Sequence, residues 1–548
     1  MNGETAVAKQ KTGRATGSSY LPAWKSESGF AILVTVLFLS FGCLSILRHE
    51  MWRDELQAWM IARDSFSVAN LFYNLRYDGH PALWYLLLYF ISRFTTQPCA
   101  MQVLHMLLGG AAVYVFVRFA PFARWQKAIF AFGYFPFYEY AVISRNYAIG
   151  VLLTFWFCAL FPQRSKKLLP LSVILFLLAN TSAYGCLMCI SLGLTLLVAC
   201  LADKRSRGRS LVARWKAALG IGVVVIGIAI SARTMMPAAG SGVYTEWYFK
   251  FGLARARDAL AAIAASHILI PDIFTQWRMG IHDLNVRPVQ AVLGAVLLVY
   301  SLLLFARRPV VLFAYSATTA MFLALIYSKH PGTVRHHGHL FVVFILCVWL
   351  SSCYKERQLA RPFADKLTAA CTRSSSVLIP VLLCVQCAGG MAAGGRDVWQ
   401  PFSRGKDVAE FIKANDMDHL PILGERDAPA SAVTGYLNRR IYYPANGRSG
   451  TFIVFDQRRK RQLSDEELVV SIDKFVSEKR QDVLLILNYK LSPAVLSALD
   501  IRSVETFSGA IVVSENYWLY LVKCGKPGGE RSSLHPATRA EVADTPLI

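Results

Sequence analysis

The sequence predicts an α-helical polytopic membrane protein with a small C-terminal α/β domain outside the membrane. Three observations carry that expectation. Of 548 residues, 55% are hydrophobic and 17% charged, well under the roughly 25% charged residues of soluble domains. About eleven apolar stretches approach the ~20 residues that a helix needs to cross a bilayer core. After residue 393 these runs give way to alternating amphipathic and short apolar segments, the pattern of a layered α/β domain.

Residues 1–28 form a polar tail with Lys9, Lys11, Arg14 and Lys25, expected on the cytoplasmic side. The run 29–47 is too long for a typical signal core and lacks an A-x-A site, so it reads as an uncleaved anchor. Further spans are expected at 100–118, 128–143, 147–162, 168–184, 186–202, 217–235, 289–305, 310–327, 339–353 and 375–392. Basic clusters fall at Arg118–Lys127, Arg164–Lys167, Lys204–Lys216, Arg307–Arg308 and Lys355–Arg373. Each follows an even-numbered span, so all can face the cytoplasm together. The outer face then takes 48–99, 139–146, 236–288, 328–338 and everything after about 393. Residues 81–94, PALWYLLLYFISRF, are too short to cross comfortably, and a crossing there would invert every later loop. They are expected to lie in the outer interface, where Trp84, Tyr85 and Tyr89 suit the depth.

Residues 29–393 therefore read as one transmembrane module, with 48–99 as its first outer loop. In 394–524, GKDVAEFIKAND and DEELVVSIDKFVSEK read as helices, and LPILGE, DVLLILNY and GAIVVSE as strands. The tail 525–548 is rich in Gly, Ser and Pro and is expected to be disordered.

The formal net charge is +23. Its positive residues are scattered between apolar spans, which argues against nucleic acid and for membrane lipids and topology signals. Outer segments also hold Arg53, Arg63, Arg76, Lys250, Arg255, Arg257 and Arg278, which suggests that this face handles anions. The chain has 12 cysteines. Cys186 with Cys189, and Cys384 with Cys387, are i,i+3 pairs on apolar helices and read as packing residues. Neither a zinc site nor a disulfide framework is expected.

Three outer constellations hold chemistry-bearing residues. In HEMWRDELQAWMIARDSF, Asp54 and Glu55 would stand about 100° apart on a helix, so one of them can face a given spot. The bland reading is a solvated flank of the first span. In FYEYAVISRNYAIG, Glu139, Arg145 and Asn146 sit at the outer membrane edge. Arg145 there is either paired with Glu139, snorkelling, or a phosphate clamp, since guanidinium forks suit phosphate oxygens. In SKHPGTVRHHGH, Lys329, His330, Arg335, His336, His337 and His339 cluster in one turn. Zinc is disfavoured by irregular spacing and cationic neighbours, leaving a solvated basic turn or an anion site. One acidic and two basic loops above one bundle would suit a lipid-phosphate donor. Fixed cations stabilise the charge that develops on a departing phosphate, and one carboxylate suffices to take the proton of an incoming hydroxyl.

Specific segments resemble the GT-C superfamily of polyprenyl-phosphate-sugar-dependent glycosyltransferases, in the bacterial branch related to protein mannosyltransferases and lipid A aminoarabinose transferases. WRDELQAW resembles that family's acidic element after the first span, and DGHPALWYLLLYF its recurrent HPPLYYLLLH, with Ala82 at the second proline. EYAVISRNYAIG is similar to its E-x-R-x-Y-A-L element. The resemblance covers residues 28–165, and the later spans by architecture. It implies a GT-C-like fold and transfer of a sugar from a polyprenyl-phosphate carrier to a glycan, lipid or protein acceptor of the cell envelope. The setting would be the bacterial inner membrane, with the C-terminal domain periplasmic. It implies Asp54 as catalytic carboxylate, with Glu55 as its neighbour and fallback, and His80 and Arg145 in the donor pocket. Lys329, His330, Arg335, His336 and His337 are phosphate candidates from chemistry and position. No cofactor is implied; many members need no metal, while the oligosaccharyl branch uses a divalent cation. Two rival readings stand beside the enzyme: a non-catalytic subunit of an envelope polysaccharide assembly, and a transporter or flippase of lipid-linked anions.

Overall fold

Hydropathy sorts the chain into a helical bundle and a sheet domain that meet near residue 400. The structure is a computed structural model describing residues 26–202, 211–242, 246–269 and 287–525. The tails expected at 1–28 and 525–548 lie almost wholly outside the described residues, as do Arg278 and part of the Lys204–Lys216 cluster.

The bundle begins with α1 (Glu27–Arg48), capped by Ser26, whose side chain accepts from Gly29 N. Three short helices follow: α2 (Arg53–Arg63), α3 (Val68–Leu75) and α4 (Leu83–Ser92). Then come α5 (Cys99–Phe119), α6 (Arg124–Ala131), α7 (Tyr147–Leu160), α8 (Leu168–Ala179), α9 (Ala183–Ala202), α10 (Leu211–Met235) and α11 (Leu253–His267). The last four are α12 (Arg287–Ala306), α13 (Pro309–Ser328), α14 (Val334–Ser351) and α15 (Pro362–Trp399). Among the described residues, eight helices are long and apolar enough to cross a membrane, while α4, α7 and α8 are shorter apolar helices. A polytopic helical architecture with a C-terminal α/β domain is thus the observed class.

Three expected spans take different forms. The run 128–143 is not one helix: α6 ends at Ala131 and a π-helix occupies Tyr134–Val142. Gly133 and Pro136 fall at that junction, and proline removes a donor from the helical ladder. The run 168–184 is broken at Asn180, whose side-chain amide donates to the Phe176 and Gly227 carbonyls. The run 375–392 is the middle of α15, which has 38 residues. At 1.5 Å per residue that helix is about 57 Å long, well beyond the ~30 Å hydrocarbon core. Its excess length carries Asp397 to His49, at the end of α1.

The C-terminal domain contains α16 (Gly405–Ala414), β1 (Ile422–Gly424), α17 (Asp427–Leu437), β2 (Ile441–Tyr443), β3 (Arg448–Gly450), α18 (Asp465–Lys479), β4 (Val483–Leu487), α19 (Pro493–Ala498), β5 (Ile501–Phe507) and β6 (Tyr517–Val522). The strands form one sheet in the order β3-β2-β1-β4-β6-β5. β1 runs parallel to β2 and β4, and β6 runs antiparallel to β4 and β5. Every residue of β4 is buried, as a central strand covered on both faces requires. Alternation splits its side chains. Leu485 and Leu487 join Ile472 and Phe475 of α18 on one face. Leu484 and Ile486 join Val408 and Ile412 of α16 and Val433 of α17 on the other.

GAIVVSE is not a strand. Gly509 takes φ +85, and residues 513–515 form a 3-10 turn. Ile511 and Val512 belong to the bundle's core, not to the sheet's. Their backbone N–H groups donate to the Pro401 and Phe402 carbonyls at 2.9 and 3.0 Å. Here an apolar run caps the bundle, and the strand lies one segment later, in YWLYLV.

Candidate active site

The first turn of α2 presents three charged residues in different directions. Glu55 turns inward. Its carboxylate accepts from Trp52 N (3.3 Å), Ser144 N (2.6 Å) and the imidazole of His49 (3.0 Å). The other nitrogen of His49 lies 2.7 Å from Asp397 at the end of α15. Burial alone would lower the His49 pKa, but Asp397 and Glu55 outweigh it and hold it well above the usual range. Glu55 thus anchors α1, α2, α15 and the segment at Ser144, and is fully buried.

Asp54 faces the other way, with its side chain 28% exposed. Its Oδ2 is 3.1 Å from Arg335 Nη2 and 3.4 Å from Arg145 Nη1, and its Oδ1 is 3.9 Å from Arg53 Nε. Arg145 also donates to the Asp54 carbonyl at 2.6 Å. Burial raises the Asp54 carboxyl, but Arg335, Arg145 and Arg53 together pull it below the ordinary aspartate range. Both Arg53 and Arg335 lie over the Trp52 ring, at 5.3 and 5.2 Å.

These arginines come from separate elements. Arg145 follows the π-helix, and Arg335 lies in the first turn of α14. The two elements approach closely at Gly338, where an added Cβ would stand 2.3 Å from the Phe135 ring and 2.4 Å from the Tyr140 hydroxyl. Arg53 is held by the C-terminal domain. Glu515 accepts from its backbone N (3.1 Å) and its guanidinium (3.4 Å), and Ser514 Oγ accepts at 2.8 Å. Burial lifts the Glu515 carboxyl to about 7 against the pull of Arg53.

Asp54 lies on the wall of a cavity of about 590 Å³. Gln57 and Ala58, one helical turn along α2, continue that wall, as the helical repeat requires. Opposite them, Asp78 accepts from Gln57 (3.2 Å) and the Tyr85 hydroxyl, and lies 2.9 Å from His80 Nδ1. Burial raises Asp78, but these partners, His80 foremost, bring it below its usual range. Gly79, at φ +73, makes the turn that sets Asp78 and His80 side by side; a side chain there would be strained. The C-terminal domain closes the cavity with residues 453–461, including Arg459 and Arg461. The amide of Gln57 fastens that segment by pairing with both N and O of Ile453 at 2.9 Å.

The residues singled out from sequence therefore separate. Asp54, Arg145 and Arg335 converge, and His80 lines the same cavity as Asp54 and Arg145. Glu55 is turned away. Lys329 lies 5.3 Å over the Trp247 ring and 3.5 Å from the Glu246 carbonyl. The His330 ring stands edge-on to His336 at 5.7 Å. Burial, then Arg335 and Lys329, push His330 below the usual imidazole range, so it stays neutral beside them. His336 Nδ1 accepts from Thr333 N at 3.0 Å, closing the cap of α14, and His337 Nε2 is 2.8 Å from the Pro331 carbonyl. Asp78, Tyr85, Gln57, Arg459 and Arg461 escaped the sequence reading. The acid two residues before His80 in DGH, and the basic run DQRRKR at 456–461, were their signals.

No family model matches this sequence, and no curated protein matches it. Among solved structures, the crystal structure of ArnT from Cupriavidus metallidurans bound to undecaprenyl phosphate is similar to this chain at 14% identity and a TM-score of 0.48, covering 90% of this chain and 98% of that one.

Proposed function

We propose that this chain is a membrane glycosyltransferase that moves a sugar from a polyprenyl-phosphate carrier to an acceptor of the bacterial envelope. The reaction takes place at the periplasmic face of the inner membrane. One observation carries this reading: Asp54, paired with Arg53, Arg145 and Arg335, lies beside Arg145 on the wall of a 590 Å³ cavity at one end of the bundle.

In the reaction, the acceptor hydroxyl oxygen attacks the anomeric carbon, and the bond from that carbon to the phosphate oxygen breaks. The phosphate departs with the electron pair, and Arg145 and Arg335 stabilise the charge it gains. The hydroxyl proton passes to Asp54, with inversion at the sugar. Before the donor arrives, the Asp54 carboxylate offsets one of these two positive charges. When the phosphate takes up part of their hydrogen bonding, the depressed pKa of Asp54 rises toward the range useful for a general base.

A second reading follows from the Asp78–His80 pair, in which Asp78 orients the imidazole and His80 accepts the proton. Sugar transfer in membranes containing Asp54→Asn or His80→Gln at normal protein levels separates the two. The first reading predicts a loss of about 100-fold or more for Asp54→Asn and a modest loss for His80→Gln. Full transfer by Asp54→Asn would refute it, and a loss confined to His80→Gln would favour the second.

A further inference from the structure

A larger hollow lies beside the candidate active site. It encloses about 1070 Å³ between the end of α2, α3 and the strands β2 and β3. The two hollows share Asp456 and Gln457, so one short segment partitions them. That partition is fixed on both sides. Gly242 N donates to the Phe455 carbonyl and Gln457 N to the Gly240 carbonyl, each at 2.9 Å, and Arg448 pairs with Asp456 at 2.5 Å.

The lining combines three chemistries. Phe66 is 81% exposed and Tyr73 56% exposed, which adds aromatic surface to the lining. Asn70 and Asn74 line the same helix one turn apart; Asn74 Nδ2 donates to Asn70 Oδ1 and Ser65 Oγ, which leaves the Asn70 amide N–H groups and the Asn74 carbonyl as donor and acceptor for sugar hydroxyls. Five arginines line the hollow against two aspartates. Arg63 is bound to Asp64 and Arg448 to Asp456. Among the described residues, no carboxylate pairs with Arg76, Arg440 or Arg458. Arg76 is nonetheless positioned: its guanidinium lies 3.4 Å over the Tyr73 ring and 4.7 Å from Tyr77. An apolar groove would suit a lipid tail, and amides with aromatics alone would suit a neutral sugar. Arginines without a counter-ion add a need for carboxylates or phosphates.

We propose that this cleft is the acceptor subsite and that it holds an anionic glycan, whose end reaches Asp54 past the Asp456–Gln457 partition. The proposal rests on the transferase reading above and names the acceptor's chemical class.

The test is a binding titration of the full-length protein in neutral-lipid nanodiscs, without donor. The probes are oligogalacturonate, the same oligogalacturonate coupled to a lipid anchor in the disc, and a neutral maltooligosaccharide of equal length. The anionic probe should bind at least about tenfold more tightly than the neutral one. Arg76→Gln on one wall and Arg440→Gln on the other should each weaken it by about tenfold, the effect of losing one charge-assisted hydrogen bond. Both variants should keep the wild-type thermal midpoint and affinity for polyprenyl phosphate. Binding of the free probe identifies a soluble polymer as the source, and binding of the coupled probe alone identifies a lipid-linked glycan; either supports the proposal. Equal binding of the neutral probe, or unchanged affinity in both stable variants, would overturn it. So would complete displacement of the probe by phosphatidylglycerol in the disc, since the cleft would then be a phospholipid site. Because no transfer is measured, intact glycan binding alongside full activity of Asp54→Asn would discredit the Asp54 mechanism and not the cleft.

Discussion

Asp54 and Glu55 are one residue apart, and helix geometry sends them to different neighbours. Glu55 is the inner residue, with three hydrogen bonds, one of them to the buried His49 imidazole. Loss of the Glu55 charge leaves His49 with Asp397 as its remaining carboxylate partner and weakens the acceptor of two buried backbone N–H groups, at a cost of about 1–3 kcal/mol. Glu55→Gln is therefore expected to lower the thermal midpoint clearly and to lose activity in step with folded protein. Asp54→Asn should lose activity with a smaller drop in midpoint, since Asp54 is partly exposed and the asparagine amide oxygen can still accept from Arg335 and Arg145. A stable, fully active Glu55→Gln protein would show that the His49 bridge is dispensable. The adjacent acids, Arg145 and Arg335 were legible in the sequence because charge is conspicuous at the end of an apolar run. Which acid points into a cavity was not legible, since that depends on the rotation of α2 about its axis. Asp78 was illegible for a related reason: its importance comes from Tyr85, Gln57 and the Gly79 turn, which fold around it.

Elements bring these residues together, and the junction of α14 with the π-helix is the most sensitive of them. Gly338 leaves no room for a side chain between Phe135 and Tyr140. Gly338→Val should push α14 outward and carry Arg335 away from Asp54. The expected result is a loss of affinity for polyprenyl phosphate of about tenfold, the weakening of one charge-assisted contact, measured by titration in nanodiscs. Unchanged affinity in a folded variant would show that Arg335 reaches its target from more than one helix position. Leu485 tests the sheet in the same way. It lies in the middle of β4 with no exposure, so Leu485→Ala is expected to cost roughly 2–5 kcal/mol, read as a lowered thermal midpoint. Long helices were legible because a span is an unbroken apolar run. The π-helix was not, since its sequence is as apolar as an α-helical span. β5 was missed because its residues are mostly exposed and show no clean alternation. GAIVVSE misled because burial against the bundle demands the same residues as burial in a sheet.

At the scale of the whole molecule, the C-terminal domain completes the cavity as well as packing on the bundle. Arg53 with Glu515, Gln57 with Ile453, and the Tyr436 hydroxyl with the Met51 carbonyl (3.1 Å) tie it to α2 and the segment before it. Glu50, in the link before α2, makes this junction pH-sensitive. Burial, reinforced by Asp407, holds its carboxyl up at about 8 against Lys406, Arg404 and His49; its ordinary value is 4.5. Between those values the folded protein keeps a proton that the unfolded chain releases, so stability falls as pH rises through that window. Glu50→Gln removes this titration, and its thermal midpoint should fall less than that of the wild type between about pH 5 and 8. Parallel slopes would mean that Glu50 ionises freely in the folded protein. The domain's existence was legible from the change in composition near residue 393, but its seat on α2 was not, because docking depends on surface polar groups with no periodic pattern. The most direct test of the central claim is release of polyprenyl phosphate from a polyprenyl-phosphate sugar by the purified protein, comparing wild type, Asp54→Asn and Arg145→Gln. The account predicts acceptor-dependent release by the wild type. It predicts near-complete loss in Asp54→Asn with donor still bound, and weakened donor binding in Arg145→Gln. Equal release by all three proteins, or donor binding without cleavage by the wild type, would contradict it.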